Sequence, residues 1–410
     1  MLFVSNYPGA GDFPPNNYTE REKILDFQGA DIYPTRREYQ GIKRLARFAS
    51  GLSRFPCLPE FSSGAFLIPS ISLKDQKFTT PSLFMHGVKG VNFYMMVERE
   101  RWYGSPITRK GKKRKEYFEF FKKFIQLVKT SEVFKLEKYA PCLVLSNRDY
   151  ERLESATTIL EPLPLPNPEL TPPELHCDEN DFGFEHPIQL YARNFQEAIY
   201  RALDLAGFGI DLGNTAQPLN SLKKYPLVAL SCFEFMSREV QEKLRAYVEQ
   251  GGFLLLGPKL PELDENMEPC EILKEGLELK KEYPPPLPAK LFLLAKGKIL
   301  LIPHNFSFKD RRRPPEELVE FIKEILLELG IERRFYSTTP KVESQLFLTD
   351  KRKILFVANP SEEAVAGKLS LPAPMVLEDL ESSERFGGDS EVEIPLQAWQ
   401  VRILEVKDAG

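Results

Sequence analysis

The sequence predicts an α/β fold in two parts, followed by a small all-β part. Residues 1–135 alternate short apolar strands with helical stretches, and residues 138–333 repeat this alternation, which is typical of α/β units. Residues 335–410 instead contain short alternating apolar runs separated by turn residues, which indicates β structure alone. A chain of 410 residues with 42% hydrophobic residues is long enough for two or three separate cores.

Composition and charge argue against several classes of protein. The net charge of −4 does not favour nucleic acid as a partner, and the one strong basic run, Arg109 to Lys115, is interpreted as a solvated loop or a helix entry. The five cysteines are scattered without a CxxC pair, so we predict no disulfide framework and no structural zinc site. The segment GAGDF near the start lacks the GxGxxG spacing of a dinucleotide site, and we expect no metal and no cofactor. No apolar run has membrane-spanning length, and the start of the chain lacks the features of a signal peptide. We therefore expect a cytoplasmic protein without a membrane partner.

The first part contains four predicted strands, and each ends in polar or aromatic residues. We place these strands at Leu2–Val4, Leu25–Ile32, Phe55–Leu58 and Gly90–Val97. Apolar spacing predicts two helices, one at Tyr39–Phe48 and one containing Tyr117 to Val128. Because barrel enzymes keep their sites at the carboxyl ends of parallel strands, we expect the functional residues at these strand ends.

The second part repeats the alternation of strand and helix around a proline-rich segment. We predict strands at Pro141–Ser146, Leu227–Ser231, Phe253–Leu256 and Ile299–Pro303. The predicted helices are Phe195–Ala206, Ser237–Gln250 and Pro315–Leu329. The segment Glu161–Pro173 is interpreted as an extended loop. The tail then contributes the short runs QLFLTD, KILFVANP, KLSLP, VEIPL and VRILEV.

Glu60 is the sharpest candidate for chemistry. It follows a predicted strand, lies in rigid chain after Pro59, and precedes the small residues Ser62 to Gly64, which leave open space. Covalent glycoside hydrolysis needs a carboxylate at such a place, because the nucleophile must lie below the anomeric carbon of the sugar. Judged from the local residues alone, a surface glutamate in a turn is the more common outcome.

Further candidates lie at the ends of the first two strands. Asp31 and Tyr33 end the second strand, where the tyrosine hydroxyl could donate to a nucleophilic carboxylate and hold its orientation. Asn6 ends the first strand. The alternative is an ordinary strand-end aspartate beside a packed tyrosine.

The end of the fourth strand carries a charged aromatic segment. It contains Glu98, Glu100, Arg101 and Trp102. Sugars have apolar faces ringed by hydroxyl groups, so an aromatic surface with charged hydrogen-bonding neighbours suits them. The alternative is an exposed charged loop.

Cys232 suggests a different chemistry, because α/β amidotransferase domains place a cysteine nucleophile directly after a strand. The glycines of such an elbow are missing here, and the chain has only 4 histidines. We therefore expect Cys232 to be a buried structural residue.

Taken in order, these segments resemble the family-42 and family-35 glycoside hydrolases. ILDFQGADIYP resembles their sixth barrel strand, FPCLPEFSSGAF the nucleophile-bearing seventh, and HGVKGVNFYMMVERERWYG the eighth, so that LFVSNYPG takes the place of the fifth. Residues 188–257 resemble the α/β trimerisation domain of family 42, and the β tail occupies the place of that family's small β domain. Archaeal exo-β-D-glucosaminidases combine features of both families in a similar way.

The resemblance implies three domains and a chemistry. Residues 1–135 would form strands five to eight of a (β/α)8 barrel, residues 138–333 a flavodoxin-like trimerisation domain, and residues 335–410 a small β domain. It also implies a retaining exo-β-glycosidase acting on β-linked galactoside or glucosaminide oligosaccharides, assembled as an oligomer in the way such trimerisation domains suggest. The implied site has Glu60 as nucleophile, Tyr33 orienting it, and the substrate-binding residues Asn6, Asp31, Glu98, Glu100, Arg101 and Trp102.

One feature of these families has no counterpart in the sequence. Their general acid/base glutamate follows an asparagine at the end of the fourth barrel strand, and no Asn-Glu pair occurs in the first 60 residues. We therefore expect a complementing chain with barrel strands one to four, without which this chain should be inactive on sugars. The alternative function is a non-catalytic carbohydrate-binding or assembly subunit, and a neighbouring gene encoding a barrel half with an Asn-Glu motif would favour the enzyme.

Overall fold

The chain is divided into two compact units. A computed structural model describes residues 3–6, 17–66, 71–100, 102–153 and 188–408. One unit combines Met1–Tyr139 with Arg333–Gly410, and the other is Ala140–Glu332. The first and third parts expected from the sequence thus share a unit, while their folding as separate domains stays a prediction. The proline-rich segment Glu161–Pro173 lies outside the described residues.

The first stretch of the chain builds a parallel sheet covered by helices. Its strands are β1 (Phe3–Asn6), β2 (Phe27–Ile32), β3 (Cys57–Ser62), β4 (Ala65–Phe66), β5 (Gly90–Tyr94), β6 (Trp102–Tyr103) and β7 (Glu137–Lys138). Its helices are α1 (Tyr18–Arg21), α2 (Tyr39–Leu52), α3 (Leu73–Met85) and α4 (Lys115–Ser131). Strands β1, β2, β3 and β5 form one parallel sheet in that order, and β4 pairs antiparallel with β6.

Helices α2, α3 and α4 pack on one face of this sheet in a single apolar core. Leu58 of β3 lies there with Ile42 of α2, Leu83 of α3 and Phe124 of α4. Sequence periodicity predicts α2 and α4 but misses α3. Helix α3 is buried on nearly all sides and so has no single apolar stripe. Its start could have been found from the capping box that Ser72 forms with the helix.

The second unit contains a seven-stranded sheet. Its strands are β8 (Cys142–Ser146), β9 (Ile210–Asn214), β10 (Leu227–Cys232), β11 (Phe253–Pro258), β12 (Glu278–Tyr283), β13 (Ala289–Leu294) and β14 (Gly297–Leu301). Its helices are α5 (Ile188–Leu205), α6 (Leu219–Leu222), α7 (Arg238–Glu249), α8 (Phe308–Arg312) and α9 (Glu316–Glu328). Five parallel strands run in the order β14-β11-β10-β8-β9, which is the strand order of flavodoxin-like sheets.

Two antiparallel strands, β12 and β13, extend this sheet beyond β14. The sequence analysis misses both strands. For β12 the reason is that it is an exposed edge strand, in which charged residues hide the apolar alternation. Among the helices that the structure describes, none is long and apolar enough to cross a membrane.

The chain returns to the first unit as an all-β segment. Its strands are β15 (Glu343–Leu348), β16 (Lys353–Asn359), β17 (Val365–Ser370), β18 (Met375–Asp379), β19 (Arg385–Gly388), β20 (Glu391–Leu396) and β21 (Gln400–Asp408). Six strands form a sheet in the order β19-β18-β21-β16-β15-β7, and β17 pairs with β20. On one side of this sheet, Phe347 and Phe356 belong to the same core as helices α2, α3 and α4. On the other side, Leu346 and Leu355 belong to a second core. Because successive side chains of a strand point to opposite faces, this one sheet contributes residues to two cores.

A buried polar network joins α2, α3 and β15. The Tyr39 hydroxyl donates to Glu343 Oε2 over 2.7 Å, and Lys43 Nζ lies 2.9 Å from the same oxygen. Because that hydroxyl proton is engaged, we assign His86 Nε2 as the donor in its 2.9 Å contact with the Tyr39 oxygen. Burial lowers the pKa of His86 well below its ordinary value, and nearby positive side chains lower it further. The imidazole is therefore neutral.

Glu343→Gln should destabilise the first unit by about 3 kcal/mol, because it removes the negative charge beside a fully buried ammonium group. The Lys43 side chain is 0% exposed. Trp102 and Trp399 are the 2 tryptophans of the chain, and both belong to this unit. Guanidinium unfolding followed by tryptophan fluorescence therefore reports on it selectively. Glu378→Gln is the matched control, because Glu378 is as accessible as Glu343 but pairs with the exposed cations Arg385 and Lys407, and it should leave the midpoint nearly unchanged. Equal midpoints for the two variants would contradict the role of the network.

Candidate active site

The carboxyl end of β3 departs from a regular strand. Leu58 and Phe61 of β3 pair with Val91 and Phe93 of β5, so two residues of β3 lie opposite one residue of β5. The pairing of β3 with β2 contains a similar shift. Such a β-bulge is common at barrel rims and beside active sites, because it turns a side chain out of the regular alternation. Leu58 and Phe61 consequently both lie in the core under the helices. Glu60 therefore faces the opposite side of the sheet, which in the described part of the chain lies away from that core and is here called the open face.

The bulge corrects the predicted end of this strand. The sequence analysis ends the strand at Leu58, before Pro59, whereas β3 continues to Ser62 and contains Glu60. Proline lacks the N–H that a regular ladder needs, so it reads as a strand breaker, but a bulge accommodates it. The Pro59 ring lies over Gly29 of β2, where any side chain would collide with it.

Two carboxylates meet on the open face. Asp31 of β2 is paired in register with Glu60, on strands that lie about 4.8 Å apart. Ala30 and Ile32 contact the helix-side core, so the alternate residue Asp31 faces the same side as Glu60. Burial raises the pKa of the half-buried Glu60 above its ordinary value, the negative charge of Asp31 raises it further, and the positive charge of Arg99 lowers it. Glu60 therefore holds a proton at higher pH than an exposed glutamate.

An aromatic cluster lies at the same strand ends. The Trp102 ring is 5.7 Å from the Tyr33 ring and meets the Tyr94 ring edge-on at 5.0 Å, measured between centroids. Trp102 lies in β6, which is paired with β4 just beyond the carboxyl end of β3. In the described part of the chain, Tyr33 donates no hydrogen bond to Glu60, so its orienting role stays a prediction. The cluster offers half-buried ring faces of the kind that pack against sugars.

The structure adds three residues that the sequence analysis does not single out. The Arg99 guanidinium lies 5.6 Å from the centroid of the Tyr94 ring and donates a hydrogen bond to its hydroxyl. Asn92 Nδ2 donates to the carbonyl of Pro59 over 2.9 Å, which ties β5 to the bulge. Asn92 and Tyr94 alternate along β5 with residues of the helix-side core. That alternation was the signal that could have found them.

Glu98 anchors the loop that follows β5. Its carboxylate accepts a hydrogen bond from the backbone of Gly104 at 2.8 Å and from that of Arg109 at 3.3 Å, and it pairs with Arg114 at 2.7 Å. Burial disfavours its charged form, but these partners outweigh burial and hold the pKa of Glu98 below its ordinary value. The predicted substrate-binding role of Glu98 stays a prediction. Its contacts show that it also shapes the basic turn after the aromatic segment.

Glu98→Gln should loosen this turn, because charge-assisted hydrogen bonds contribute about 1.5–3 kcal/mol each. We expect trypsin to cut about tenfold faster within Arg109 to Lys115 in the variant, which corresponds to about 1.4 kcal/mol of local opening. The pKa of Glu98 is lowered in the folded chain. The stabilisation of the turn by its carboxylate is therefore fully present at pH values above the ordinary carboxyl pKa, and it is lost as the pH falls through the lowered pKa. Glu100→Gln, at an exposed neighbour, is the control. Equal cleavage of both variants would rule out the anchoring role.

The remaining candidates are less clearly placed. Glu100 is exposed on the same loop. The backbone of Asn6 pairs with Ala30 at the carboxyl end of β1. Arg101 lies outside the described residues. Their predicted contacts with substrate therefore stay predictions.

Two other features of the chain do not coincide with this site. A cavity of about 470 Å³ opens between α3, α4 and β21, and none of the candidate residues lines it. Cys232, the alternative nucleophile, is fully buried at the end of β10, and burial raises the pKa of its thiol. A buried thiol that keeps its proton is a poor nucleophile, in agreement with the structural role expected for it.

Comparison with known proteins identifies the class to which this architecture is related. Residues 192–287 match the family model described as "GLMA-like, second domain". A catalytic mutant of a GH42 β-galactosidase from G. stearothermophilus has the same fold over 98% of this chain, with a TM-score of 0.70 and 14% sequence identity. This chain spans 63% of the length of that protein. The chain thus shares the fold of a glycoside hydrolase of the β-galactosidase type, in agreement with the resemblance predicted from the motifs.

Among curated proteins, the similarity points to exo-β-D-glucosaminidases. The exo-β-D-glucosaminidase of Pyrococcus horikoshii is 48% identical over 64 residues, and that of Thermococcus kodakarensis is 44% identical over 66 residues. Each match covers 16% of this chain and 8% of the relative. The chain therefore matches a short part of these larger proteins.

Proposed function

We propose that this chain contributes the nucleophile of a cytoplasmic, retaining exo-β-glycosidase, and that the nucleophile is Glu60. The observation that carries the proposal is the bulge in β3, which sets Glu60 on the open face of the parallel sheet beside Asp31. Bulges of this kind re-aim side chains next to active sites. The aromatic cluster of Tyr33, Tyr94 and Trp102 at the same strand ends supports a carbohydrate ligand.

The chemistry follows from a carboxylate in this place. A Glu60 oxygen attacks the anomeric carbon as the glycosidic C–O bond breaks, and a second carboxyl group protonates the departing oxygen. Water, deprotonated by that second group, then displaces Glu60 and restores the carboxylate. The two carboxyl groups of a retaining enzyme lie about 5–5.5 Å apart. Asp31 lies on the neighbouring strand and on the same face of the sheet as Glu60, so we assign it to substrate hydroxyl groups and not to the leaving group.

The second carboxyl group is proposed to come from further polypeptide, namely a complementing chain with four barrel strands. Among the described strands, β1 and β5 are the two edges of the parallel sheet and each pairs on one side. A parallel sheet of this kind is normally closed or covered, because open edges and apolar faces attract other chains. Phe55 packs against the backbone of edge strand β5 at Gly90 and is 43% exposed, so it provides apolar surface at this edge for another chain.

The proposed substrate is a β-linked galactoside or glucosaminide oligosaccharide. The names of the related enzymes suggest both sugars, which differ in the substituent at the second carbon and in the configuration at the fourth. Glu98, Glu100, Arg101 and Asn6 are proposed to contribute to substrate binding. The unit formed by residues 140–332 is proposed to hold copies of the protein together in an oligomer.

Mechanism-based labelling tests this proposal. The chain is incubated with and without a barrel half that carries the acid, together with 5-fluoro β-glycosyl fluorides of galactose or glucosamine. These reagents keep the substituent at the second carbon, so the faster label also reports the preferred sugar. The expected label is a glycosyl ester on Glu60, mapped by peptide mass spectrometry. A label on Glu98 or Glu100 instead would refute the assignment of β3.

A second candidate function is carbohydrate binding without catalysis. The aromatic cluster favours it, since three rings at one edge can hold a sugar whether or not a carboxylate attacks. Saturable oligosaccharide binding that Trp102→Ala abolishes, together with no labelling under any complementation, would select this function over the enzyme.

A further inference from the structure

The pairing of Asp31 with Glu60 creates an electrostatic problem that the fold must solve. Two carboxylates on adjacent strands and on one face repel each other, so one of them tends to hold its proton. A protonated Glu60 cannot attack an anomeric carbon. A positive charge placed beside the pair would relieve the repulsion.

Arg99 is the cation that the structure places near this pair. It lies on the loop after β5, and its guanidinium donates a hydrogen bond to the Tyr94 hydroxyl and lies 5.6 Å from the centroid of that ring. Tyr94 is itself fixed: its backbone pairs with Ser62, two residues after Glu60, and its ring is edge-on to Trp102. The hydrogen bond therefore holds the guanidinium at a fixed ring beside the end of β3.

Among the residues that the structure describes, the charged and titratable groups around Glu60 come from three elements. Strand β2 contributes Asp31, the loop after β5 contributes Arg99, and the ring hydroxyls of Tyr33 and Tyr94 lie at the ends of β2 and β5. Asp31 and Arg99 act on Glu60 in opposite directions, and the positive charge of Arg99 lowers the pKa that burial and Asp31 raise.

We propose that Arg99, held in place by Tyr94, is a positioning residue that keeps Glu60 ionised beside Asp31. The mechanistic meaning of this inference rests on the proposed role of Glu60, but its test does not require turnover. The arginine does not touch the sugar in this scheme. It acts through the charge state of the nucleophile.

The test measures the protonation of Glu60 in the full chain. Carbodiimide with an amine labels the protonated carboxyl group, and mass spectrometry of the Glu60 peptide across pH gives a midpoint. Arg99→Gln should move that midpoint to higher pH, because the carboxylate loses a stabilising charge. Asp31→Asn should move it to lower pH. Tyr94→Phe keeps the ring but removes the hydrogen bond, so it should give a smaller shift in the direction of Arg99→Gln.

Two further variants separate this role from general effects. Arg99→Lys keeps the charge and should restore most of the wild-type midpoint. Arg109→Gln removes one exposed positive charge from the neighbouring turn, where the arginine side chain makes no ion pair within the described residues, and should leave the midpoint unchanged. An unchanged midpoint in Arg99→Gln, or an equal shift in Arg109→Gln, would overturn the proposal. Unchanged unfolding midpoints by tryptophan fluorescence confirm that each variant is folded.

The outcomes also separate this inference from the proposed function. In a complemented enzyme, the acidic limb of the pH profile of kcat/KM reports the free nucleophile and should move upward in Arg99→Gln. Shifted midpoints in a chain that never acquires a glycosyl label would leave the positioning role standing and remove the glycosidase. A label on Glu60 with no effect of Arg99→Gln on either readout would support the glycosidase and overturn the positioning role of Arg99.

Discussion

Glu60→Gln should lower turnover of the complemented enzyme by about 10⁴–10⁶-fold, the range seen when a nucleophile or its direct partner is removed. An amide cannot form the glycosyl ester, while its size and burial match those of the acid. The loss should appear in kcat and kcat/KM together, because the missing bond exists in the transition state and not in the bound substrate. Labelling by the 5-fluoro reagent should disappear in parallel.

A smaller substitution makes the same prediction sharper. Glu60→Gly should regain part of the activity when azide is added, because the ion fits the vacated space and attacks from the same face. The product should then be the α-glycosyl azide, since azide enters opposite the departing β-linked group. Glu100→Gln is the matched control on a neighbouring carboxylate and should mainly raise KM. Undiminished turnover in Glu60→Gln, or a β-glycosyl azide, would exclude Glu60 as the nucleophile.

The 410-residue chain without the complementing barrel half should be inactive on unactivated disaccharides. One carboxylate cannot both attack the sugar and protonate its leaving group, and that protonation typically contributes ~10²–10⁴-fold. Aryl glycosides allow a graded test, since a dinitrophenolate leaves without protonation and a methoxyphenolate does not. Complementation should therefore raise the rate of aglycone release in the first turnover far more for the methoxyphenyl glycoside than for the dinitrophenyl glycoside.

This comparison separates a missing acid from a misfolded site. A complementing half whose acid glutamate is replaced by glutamine is the control: it should restore binding and the release of dinitrophenolate in the first turnover, but neither the methoxyphenyl reaction nor fast hydrolysis of the glycosyl ester, which needs the same group as base. Equal gains for both leaving groups would mean that the added strands act only by closing the sheet. Robust hydrolysis of a disaccharide by the chain alone would refute the need for a partner.

Much of the fold could be predicted from local patterns. The periodicity of α2 and α4 marks their buried faces, and the alternating runs of the tail mark β15, β16 and β21. These patterns succeed because one face of each element is apolar. They fail at α3 and β12, since α3 is buried on nearly all sides and β12 is exposed on nearly all of them.

The residues of the candidate site could be predicted only in part, without Asn92, Tyr94 and Arg99, and its geometry could not be predicted. The strand-end positions identify Glu60, Asp31, Tyr33 and Trp102 as residues of one edge. Chain neighbours could not show that the strand continues past Pro59, because the bulge is defined by the pairing of β3 with two other strands. The sequence of the loop that contains Glu98 is a run of charged residues and is typical of a solvated loop, whereas in the structure Glu98 fixes this loop by its hydrogen bonds and its ion pair.

By itself, the sequence determined the class of this protein: two α/β parts, a β tail, and carboxylate-bearing strand ends that resemble those of β-galactosidase-type glycoside hydrolases. Only the tertiary structure decided which charges meet. Glu60 lies opposite Asp31 under the influence of Arg99, and Tyr39 meets Glu343 across 304 positions of chain. The reason is physical: secondary structure follows from side chains a few residues apart, whereas the charge state of a buried group depends on whatever the fold brings within a few ångströms of it.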